Sequence, residues 1–344
     1  MINASIIGAN GYTGFKLMSI LSMHKKVKLC KLTSRSNAGT AVTEVYPQLN
    51  ALKGYCFSDC PPEEISKVSD VVFVCLPHGE SAAYCEKLLN AGCKVIDLSA
   101  DFRYKNLSNY EKNYVKHPFP DLLKSAVYGL PEIYKKEIKN AKLIGNPGCY
   151  TTCSILPLYP LLNEKLISRK NIIIDAKSGV SGAGRKAELA LIYNEVNENF
   201  KAYSVTTHRH TSEIEEILSL NTGLEIALSF TPHLLPLQSG ILSTIYADIN
   251  DGLDAEAVIC AYEKYYKNEP FVNIIKEGLP EIKHVRETNY INIGFKIDTR
   301  LNKIIIISCL DNLVKGASGQ AVQNMNIMSG FDESEGLLLN SNYI

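Results

Sequence analysis

The sequence predicts an α/β protein with two domains: a doubly wound parallel sheet, then an α+β domain with a mostly antiparallel or mixed sheet. Three observations lead to this fold class. At 344 residues the chain is longer than a single hydrophobic core usually supports. Strand-like and helix-like runs alternate through roughly the first 100 residues, which is the pattern of a parallel sheet. After about residue 148, strand-like runs follow one another without a helix after each.

Short apolar runs predict the elements in chain order. In the first domain we expect strands at residues 4–8, 27–33, 70–76 and 94–98, with helices that begin near Thr13 and Gly79. In the second we expect strands at 172–176, 226–230, 241–249, 291–297 and 304–308. A final helix, ending near Met328, follows a Gly-rich stretch at 311–320 and should return to the first domain. The predicted domains are therefore 1–147 plus 312–344, and 148–311.

Composition and charge point to a small-molecule partner. Lys plus Arg and Asp plus Glu both total 36, so no global charge favours nucleic acid or an anionic membrane. The longest apolar runs, such as 71–75 and 304–307, are far shorter than a membrane span. A strand begins almost at the first residue, which predicts no targeting segment and a cytoplasmic location. Ten cysteines without a CxxC pair predict reduced thiols and no metal site.

A glycine-rich turn follows the first predicted strand and opens a helix. Glycines at such a bend let the backbone approach a pyrophosphate, whose charge is met by N–H groups at the helix start. The spacing GxxGxxG is looser than the usual GxGxxG, so a purely structural turn is the alternative. The strand–turn–helix context favours dinucleotide binding. The candidate cofactor contacts are Gly8, Asn10, Gly11, Tyr12, Thr13 and Gly14, with Leu76 and Pro77 after a later strand, and Ser178 and Gly179 in a second Gly-rich loop.

The end of the second strand indicates which dinucleotide is bound. An NAD site usually places Asp or Glu about 20 residues after the glycines to grip the ribose, whereas an Arg there can accept a 2′-phosphate. Here Thr33-Ser34-Arg35-Ser36 contains no acid. A solvated turn is the alternative. Ser34 and Arg35 favour NADP(H) as the cofactor.

A nucleophilic cysteine is predicted at the segment Gly145-Asn146-Pro147-Gly148-Cys149, which precedes an apolar helical pattern at 155–162. A helix start places positive charge and backbone N–H groups near the sulfur, which favours thiolate and could hold an oxyanion. An inert core thiol is the ordinary interpretation of a cysteine, but the Gly and Pro punctuation favours function. Cys153, one turn later, is expected to be a packing residue.

Two histidines precede another helical stretch at 214–220. Ser212 and Glu215 fit a capping box, so a plain helix start with exposed imidazoles is one interpretation. A catalytic role for His208 or His210 is the other, since histidine titrates where acid–base work is done. The Gly-rich loop from Lys177 to Arg185 follows a predicted strand and suits close approach by a ligand, although an ordinary connection would look the same.

At these residues the chain resembles the N-acetyl-gamma-glutamyl-phosphate reductase family, within the superfamily of aspartate-semialdehyde dehydrogenase. The resemblance covers nearly the whole chain. It implies a Rossmann-like first domain, Cys149 as nucleophile, His210 as the acid–base group, and His208 and Glu213 as supporting groups. It also implies a nicotinamide contact from Asn312. The motifs that carry it are GANGYTG at 8–14, DLSADFR at 97–103, YGLPE at 128–132, GNPGCY at 145–150 and HRH at 208–210.

The resemblance also implies the reaction and its setting. A Cys149 thioester would form from the acyl phosphate, and NADPH would reduce it to N-acetyl-glutamate semialdehyde in arginine biosynthesis. The substrate and phosphate would be the small-molecule partners, and the chain would form a homodimer or homotetramer through the second domain. The candidate substrate contacts are Arg103, Asn146, Lys177 and Arg185.

One position departs from the family pattern. An arginine usually precedes Gly-Ile after the Pro-His-Leu segment, but here that position is Ser239. Arginine can grip a carboxylate or phosphate with a bidentate fork, which serine cannot replace. We expect another cation to compensate, and the candidates are Lys177, Arg185 and Arg209.

Three other functions stay open from the sequence. Two are reductases, one acting on aspartyl phosphate and one on a carrier-bound aminoadipyl phosphate. The third is a non-catalytic NADPH-binding sensor that uses Cys149 as a redox switch. The HRH and YGLPE motifs count against the aspartyl substrate, whereas the sequence does not decide on a carrier.

Overall fold

The computed structural model describes residues 1–185, 187–250 and 252–341. The chain divides into two compact units. Unit 1 consists of Met1–Pro147 with Ala317–Leu338, and unit 2 consists of Gly148–Gly316 with the chain from Leu339 onward. All ten cysteines are reduced thiols. In the described part of the chain, every helix is too short or too polar for a membrane span.

The regular elements are as follows. The strands are β1 (Ile2–Ile7), β2 (Val27–Leu32), β3 (Val71–Val74), β4 (Lys94–Asp97), β5 (Val127–Tyr128), β6 (Leu143–Gly145), β7 (Ile172–Gly179), β8 (Lys201–Ala202), β9 (Leu228–Leu235), β10 (Ile241–Asp248), β11 (Val272–Ile275), β12 (Ile291–Asp298) and β13 (Lys303–Leu310). The α-helices are α1 (Tyr12–Ser22), α2 (Val42–Val45), α3 (Pro62–Ser66), α4 (Ser81–Asn90), α5 (Leu107–Asn113), α6 (Leu122–Ser125), α7 (Pro131–Asn140), α8 (Cys149–Asn163), α9 (Tyr193–Val196), α10 (His210–Thr222), α11 (Ala255–Tyr266) and α12 (Gly319–Met328).

Unit 1 is built on a parallel sheet with the strand order β2-β1-β3-β4-β6-β5. Every residue of β3 is buried, as expected for a strand covered on both faces. Strand β2 lies on one side of β1, whereas β3 and the strands after it lie on the other side. The strand order therefore reverses between β1 and β3. Ligands of open α/β sheets bind at such a reversal, outside the carboxyl ends of the strands. The predicted doubly wound parallel sheet is confirmed.

Unit 2 is built on a mixed sheet with the strand order β11-β12-β13-β10-β7-β9-β8. Strands β7 and β9 are parallel, as are β11 and β12, and the other pairs are antiparallel. Along β10 the burial alternates residue by residue, so one face of the sheet is buried and the other is half exposed. Helix α8 packs against β10 and β13. The predicted α+β domain with a mixed sheet is confirmed.

Of two predicted helix starts, the structure agrees with one. Helix α8 begins at Cys149, as the Gly and Pro residues before it predicted. Helix α10 begins at His210, so the proposed capping box is wrong. The Ser212 hydroxyl donates to the carbonyl of Arg209 at 3.0 Å, and the Glu215 carboxylate instead accepts the N–H of Leu228 at 2.9 Å. The chain enters α12 through a π-helical turn at Val314–Ser318, a rare conformation that is often found at functional sites.

Candidate active site

The glycine loop between β1 and α1 lies at the reversal point of the unit 1 sheet. Gly8 has a φ of +77°, and a Cβ at this position would lie 2.4 Å from the carbonyl oxygen of Cys75. A Cβ on Gly14 would lie 2.6 Å from the backbone of Ala9. Gly11 precedes the helix, and a Cβ at this position would lie 3.7 Å from the carbonyl oxygen of Gly8, an ordinary contact distance. Gly8 and Gly14 are therefore required by the packing of the turn, whereas Gly11 leaves the helix start open to a ligand.

The other predicted loop residues hold this turn in place. The side-chain amide of Asn10 donates to the hydroxyl of Ser36 at 3.0 Å, and the Tyr46 hydroxyl donates to the carbonyl of Asn10 at 2.6 Å. The carbonyl of Thr13 accepts the Ser318 hydroxyl at 2.9 Å. The Tyr12 side chain is exposed at the first position of α1.

Arg35 lines a cavity of about 400 Å³ in unit 1. Its guanidinium donates to the Tyr84 hydroxyl at 2.6 Å, which fixes the direction of an otherwise exposed side chain. Ser34 is buried, and its hydroxyl accepts the N–H of Asn37 at 3.3 Å. Lys87 lines the same cavity and is paired with Glu63 at 3.0 Å. The cavity thus offers a positioned cation to an anionic group.

Leu76 and Pro77 follow β3 directly after Cys75, the residue that contacts Gly8. The loop after them is held by Asp101, whose carboxylate accepts the N–H groups of Gly79 at 2.8 Å and Ala82 at 3.1 Å. Leu76 is half buried and Pro77 is exposed. The two predicted contacts therefore lie beside the glycine loop on a fixed segment.

Arg103 and Asn146 bind backbone within unit 1. The Arg103 guanidinium is buried and donates to the carbonyls of Asn146 at 2.7 Å and Leu98 at 3.0 Å. The Asn146 side chain donates to the carbonyl of Ala317 at 3.0 Å and accepts from the Asn324 amide at 3.1 Å. These contacts immobilise the segment that ends three residues before Cys149.

Cys149 is the first residue of α8, and the buried Glu213 lies at the same helix start. The Glu213 carboxylate accepts the N–H of Gly148 at 3.0 Å and the Thr151 hydroxyl at 3.0 Å. A helix leaves its first N–H groups without intrahelical acceptors, so this turn presents hydrogen-bond donors beside the thiol. Gly316 packs on the other side, where an added Cβ would lie 2.7 Å from the Cβ of Cys149. Cys149 is partly exposed, whereas burial raises the pKa of Cys153 to about 11.

His208 and His210 form a ring pair with centroids 4.8 Å apart. The His208 Nδ1 atom accepts the backbone N–H of His210 at 3.1 Å, so the ring proton of the neutral form is on Nε2. Burial, with a smaller effect from the charge of Arg209, lowers the pKa of His208 to about 4. His208 is therefore neutral near pH 7 and supports the first residue of α10, which is His210.

The loop after β7 is tied to the segment that contains the departing residue Ser239. The N–H of Gly179 donates to the carbonyl of Gly240 at 2.9 Å, and the Ser178 hydroxyl donates to the carbonyl of Gly179 at 2.9 Å. The Asn312 side chain is 2% exposed; it accepts the N–H of Gly240 at 2.7 Å and donates to the Ser181 hydroxyl at 3.0 Å. The structure thus places Ser178, Gly179 and Asn312 in one hydrogen-bonded group within unit 2.

The three cations proposed to compensate for Ser239 have different surroundings. Lys177 pairs with the carboxylate of Asp175 at 3.0 Å. Arg209 is exposed at the residue that precedes α10, next to both histidines. Arg185 is exposed in the loop after β7. The Ser239 hydroxyl itself donates to the Asp311 carboxylate at 3.2 Å.

Comparisons with known proteins identify the family. Residues 3–141 match the model of the semialdehyde dehydrogenase NAD binding domain, and residues 149–312 match that of the semialdehyde dehydrogenase dimerisation domain. The N-acetyl-gamma-glutamyl-phosphate reductase of Caldicellulosiruptor bescii is 51% identical over 343 residues, which is 100% of both chains. The chain belongs to the N-acetyl-gamma-glutamyl-phosphate reductase family. The reductase of the same name from Campylobacter jejuni is 48% identical over 98% of both chains.

Solved structures agree with this family on the fold. Aspartate semialdehyde dehydrogenase II from Vibrio cholerae is similar with a TM-score of 0.74 and 18% identity, over 96% of this chain and 99% of that one. Aspartate semialdehyde dehydrogenase with NADP from Candida albicans gives a TM-score of 0.73 at 17% identity, over 96% and 98%. At this level of identity, the similarity to these two dehydrogenases shows a shared fold and nothing more.

Three side chains that the sequence reasoning did not single out support the predicted residues of this reductase, two of them by direct contact. The Tyr150 ring contacts both histidines, and the Tyr203 ring contacts His208 at 5.6 Å. Asp101 holds the loop after Leu76 and Pro77. Tyr150 and Asp101 lie inside the motifs that carry the resemblance, so their neighbours in sequence could have indicated them. Tyr203 has no such signal.

Proposed function

We propose that this chain reduces N-acetyl-gamma-glutamyl phosphate to N-acetyl-glutamate semialdehyde with release of phosphate, in arginine biosynthesis. The names of the relatives support the substrate. The observation that carries the chemistry is the helix start at Cys149, where Glu213 fixes Gly148 and the pair His208–His210 lies on the ring of Tyr150.

Cys149 is the proposed nucleophile. Its thiolate forms a bond to the acyl carbon, the bond from that carbon to the phosphate oxygen breaks, and phosphate leaves. A bound NADPH would supply the hydride that reduces the carbon of the resulting thioester. The first-turn N–H groups of α8 stabilise the oxyanion that each step generates. When the carbon–sulfur bond breaks, the aldehyde leaves, and the positive end of the helix favours the thiolate that remains on Cys149.

His210 is the proposed acid–base group, because His208 is committed to another role. The Nδ1 atom of His208 accepts the N–H of His210, and burial keeps the His208 ring neutral near pH 7. Glu213 anchors both helix starts, since it belongs to the first turn of α10 and binds the residue before Cys149. We therefore assign proton transfer to His210 and support to His208 and Glu213.

The cofactor is proposed to be NADP(H) rather than NAD(H). Residues 3–141 of the chain match the family's NAD binding domain. The glycine loop has the open helix start that a pyrophosphate needs, and its contacts would come from Gly8 to Gly14 with Leu76 and Pro77. Arg35, held by Tyr84 at the edge of a 400 Å³ cavity, is the cation that would meet a 2′-phosphate.

A homodimer or homotetramer built through unit 2 is part of the same proposal. The matching family model is described as a dimerisation domain. The half-exposed face of the unit 2 sheet carries apolar side chains where a solvated antiparallel strand usually carries polar ones, for example Ile173, Leu242, Ile305 and Ile307. Reduced cysteines favour a reducing compartment, and we place the enzyme in the cytoplasm.

The test is the reverse reaction, in which an aldehyde, phosphate and NADP yield NADPH. We expect activity with N-acetyl-glutamate semialdehyde that depends on phosphate, exceeds activity with aspartate semialdehyde and disappears in Cys149→Ser. A preference for aspartate semialdehyde would refute the substrate and leave the thioester chemistry intact. NADPH binding without turnover of any semialdehyde would instead favour a redox sensor.

A further inference from the structure

Tyr150 follows the proposed nucleophile in the chain, and its ring contacts the histidine pair within unit 2. It follows Cys149 in the first turn of α8 and is 2% exposed, so its side chain faces the interior. The ring is surrounded by other rings. Its centroid lies 5.7 Å from that of His208, 5.9 Å from that of His210 and 5.3 Å from that of Phe230.

Both imidazoles meet this ring edge-on. The interplanar angle is 88° with His208 and 71° with His210, and the two imidazoles are at 72° to each other. Edge-to-face contacts have a preferred geometry and therefore restrict how each ring can turn. The orientation of both histidines thus depends on where the Tyr150 ring stands.

The hydroxyl of Tyr150 fixes the ring in turn. It donates to the carbonyl of His233 on β9 at 3.1 Å, and it accepts the Tyr203 hydroxyl at 3.3 Å. Burial raises the pKa of Tyr150 well above its usual value, so the hydroxyl keeps its proton in the working pH range. The ring is therefore anchored at both ends, by the backbone of α8 and by its hydroxyl on β9.

We propose that Tyr150 is a positioning residue, which orients the imidazoles of His208 and His210 toward the helix start that carries Cys149. The proposal rests on the proposed function, because it assigns the histidines to the same reaction. The role proposed for Tyr150 differs from the catalytic roles, because the buried phenol acts through the two histidines and not by contact with the substrate.

The chain offers a matched control on α11, a helix that contacts α8. Tyr262 is also fully buried in unit 2, and its hydroxyl donates to the carbonyl of Pro157 in α8 at 2.9 Å. Its ring neighbours are Tyr266 and Phe295. Replacing Tyr262 removes the same kind of ring, with its hydrogen bond to α8, and leaves the histidine pair in place.

The experiment compares Tyr150→Phe and Tyr150→Leu with Tyr262→Phe and Tyr262→Leu. Four quantities are measured: kcat and KM in the reverse reaction, the pH dependence of Cys149 alkylation by iodoacetamide, and the thermal midpoint. We expect Tyr150→Leu to lower kcat by about 10²-fold, the usual cost of a misplaced catalytic group, with an unchanged KM for NADP. We also expect the pH dependence of Cys149 alkylation to shift along the pH axis. The Tyr262 variants should lose stability and keep the wild-type kcat and profile.

Tyr150→Phe keeps the ring and loses its anchor, so we expect about a threefold to tenfold loss of kcat. If Tyr150→Leu does not fold, the kcat of Tyr150→Phe tests the proposal instead. Wild-type kcat and alkylation profile in a folded Tyr150→Leu, or equal kcat losses in the Tyr150 and Tyr262 variants, would overturn the proposal. If wild type turns over no semialdehyde, the proposed function fails, and the alkylation profiles still test Tyr150.

Discussion

Gly316 offers a sharp test of how closely the backbone packs on the nucleophile. A Cβ at this position would lie 2.7 Å from the Cβ of Cys149 and 3.1 Å from its Cα. Carbon atoms prefer a separation of about 3.5–4.0 Å, so Gly316→Ala must push the two segments apart by roughly 1 Å. We expect a loss of about 1–3 kcal/mol of stability, the usual cost of overpacking.

The same displacement should also reduce catalysis. A shift of about 1 Å at a reacting group can cost about 10²-fold in rate, which corresponds to about 2.7 kcal/mol of barrier. The assay measures kcat in the reverse reaction, the rate of Cys149 alkylation and the thermal midpoint. Both kcat and the alkylation rate should change in Gly316→Ala.

Gly294→Ala is the matched control for this overlap. Its added Cβ would lie 2.8 Å from the Cδ of Pro280, in the same unit and against a side chain that the site does not use. We expect a similar loss of stability with kcat close to wild type. A Gly316→Ala enzyme with wild-type kcat, or equal loss of kcat in both variants, would refute the reasoning.

Three further predictions concern pH, cofactor and substrate. Because the pKa of His208 is about 4 in the folded protein and 6.5 for a free imidazole, the contribution of its neutral ring to stability is complete above about pH 6.5. It should fall by about 3 kcal/mol as the pH drops to about 4; His208→Asn, which keeps an acceptor for His210, should flatten this part of the urea-unfolding profile. Arg35→Ala should weaken NADPH binding by about 10–100-fold and leave NADH binding nearly unchanged in fluorescence titrations, and an equal loss for both would count against a 2′-phosphate contact. Ser239→Arg should leave the KM for the semialdehyde within about twofold, because an arginine there can pair with Asp311. A fall of about tenfold in that KM would show that the side chain at position 239 reaches the substrate.

The fold was predictable because its signals are local. Apolar runs of four to eight residues located the long strands of both sheets, and the alternation with helices indicated the parallel one. The strands that were missed are short: β5 and β8 have two residues each, β6 has three and β11 has four. Such segments gain their pairing from neighbouring strands and carry little pattern of their own.

The site was predictable only where its residues are consecutive. Cys149 could be found because glycine and proline mark the helix start beside it. Glu213 could not be derived from spacing, since its partner Gly148 is 65 residues away in the chain. It came from the resemblance. The dependence of both histidines on the Tyr150 ring is likewise a tertiary contact, to which neither composition nor periodicity contributes.

The departure at Ser239 has a different meaning in the structure from the one that the sequence suggested. From the sequence, a missing arginine implied a missing contact to the substrate. In the fold, the Ser239 hydroxyl binds Asp311, and the same carboxylate oxygen accepts the N–H of Glu287 at 2.7 Å. Asp311 directly precedes Asn312, whose side chain holds Gly240. The side chain at position 239 thus contributes to a hydrogen-bonded group that fixes two loops, and serine can make that contact.

Among the cations proposed to compensate, the surroundings favour Arg209. Lys177 is paired with Asp175, which also binds His233 at 3.1 Å, so its charge is balanced within the sheet. Arg209 is exposed beside the histidine pair, and its charge contributes to the lowered pKa of His208. A charge that acts on that imidazole would also act on an anionic group brought to the same place. The cation adjacent in sequence to the proposed acid–base group therefore comes from the start of α10, through the same HRH motif that supplied the histidines.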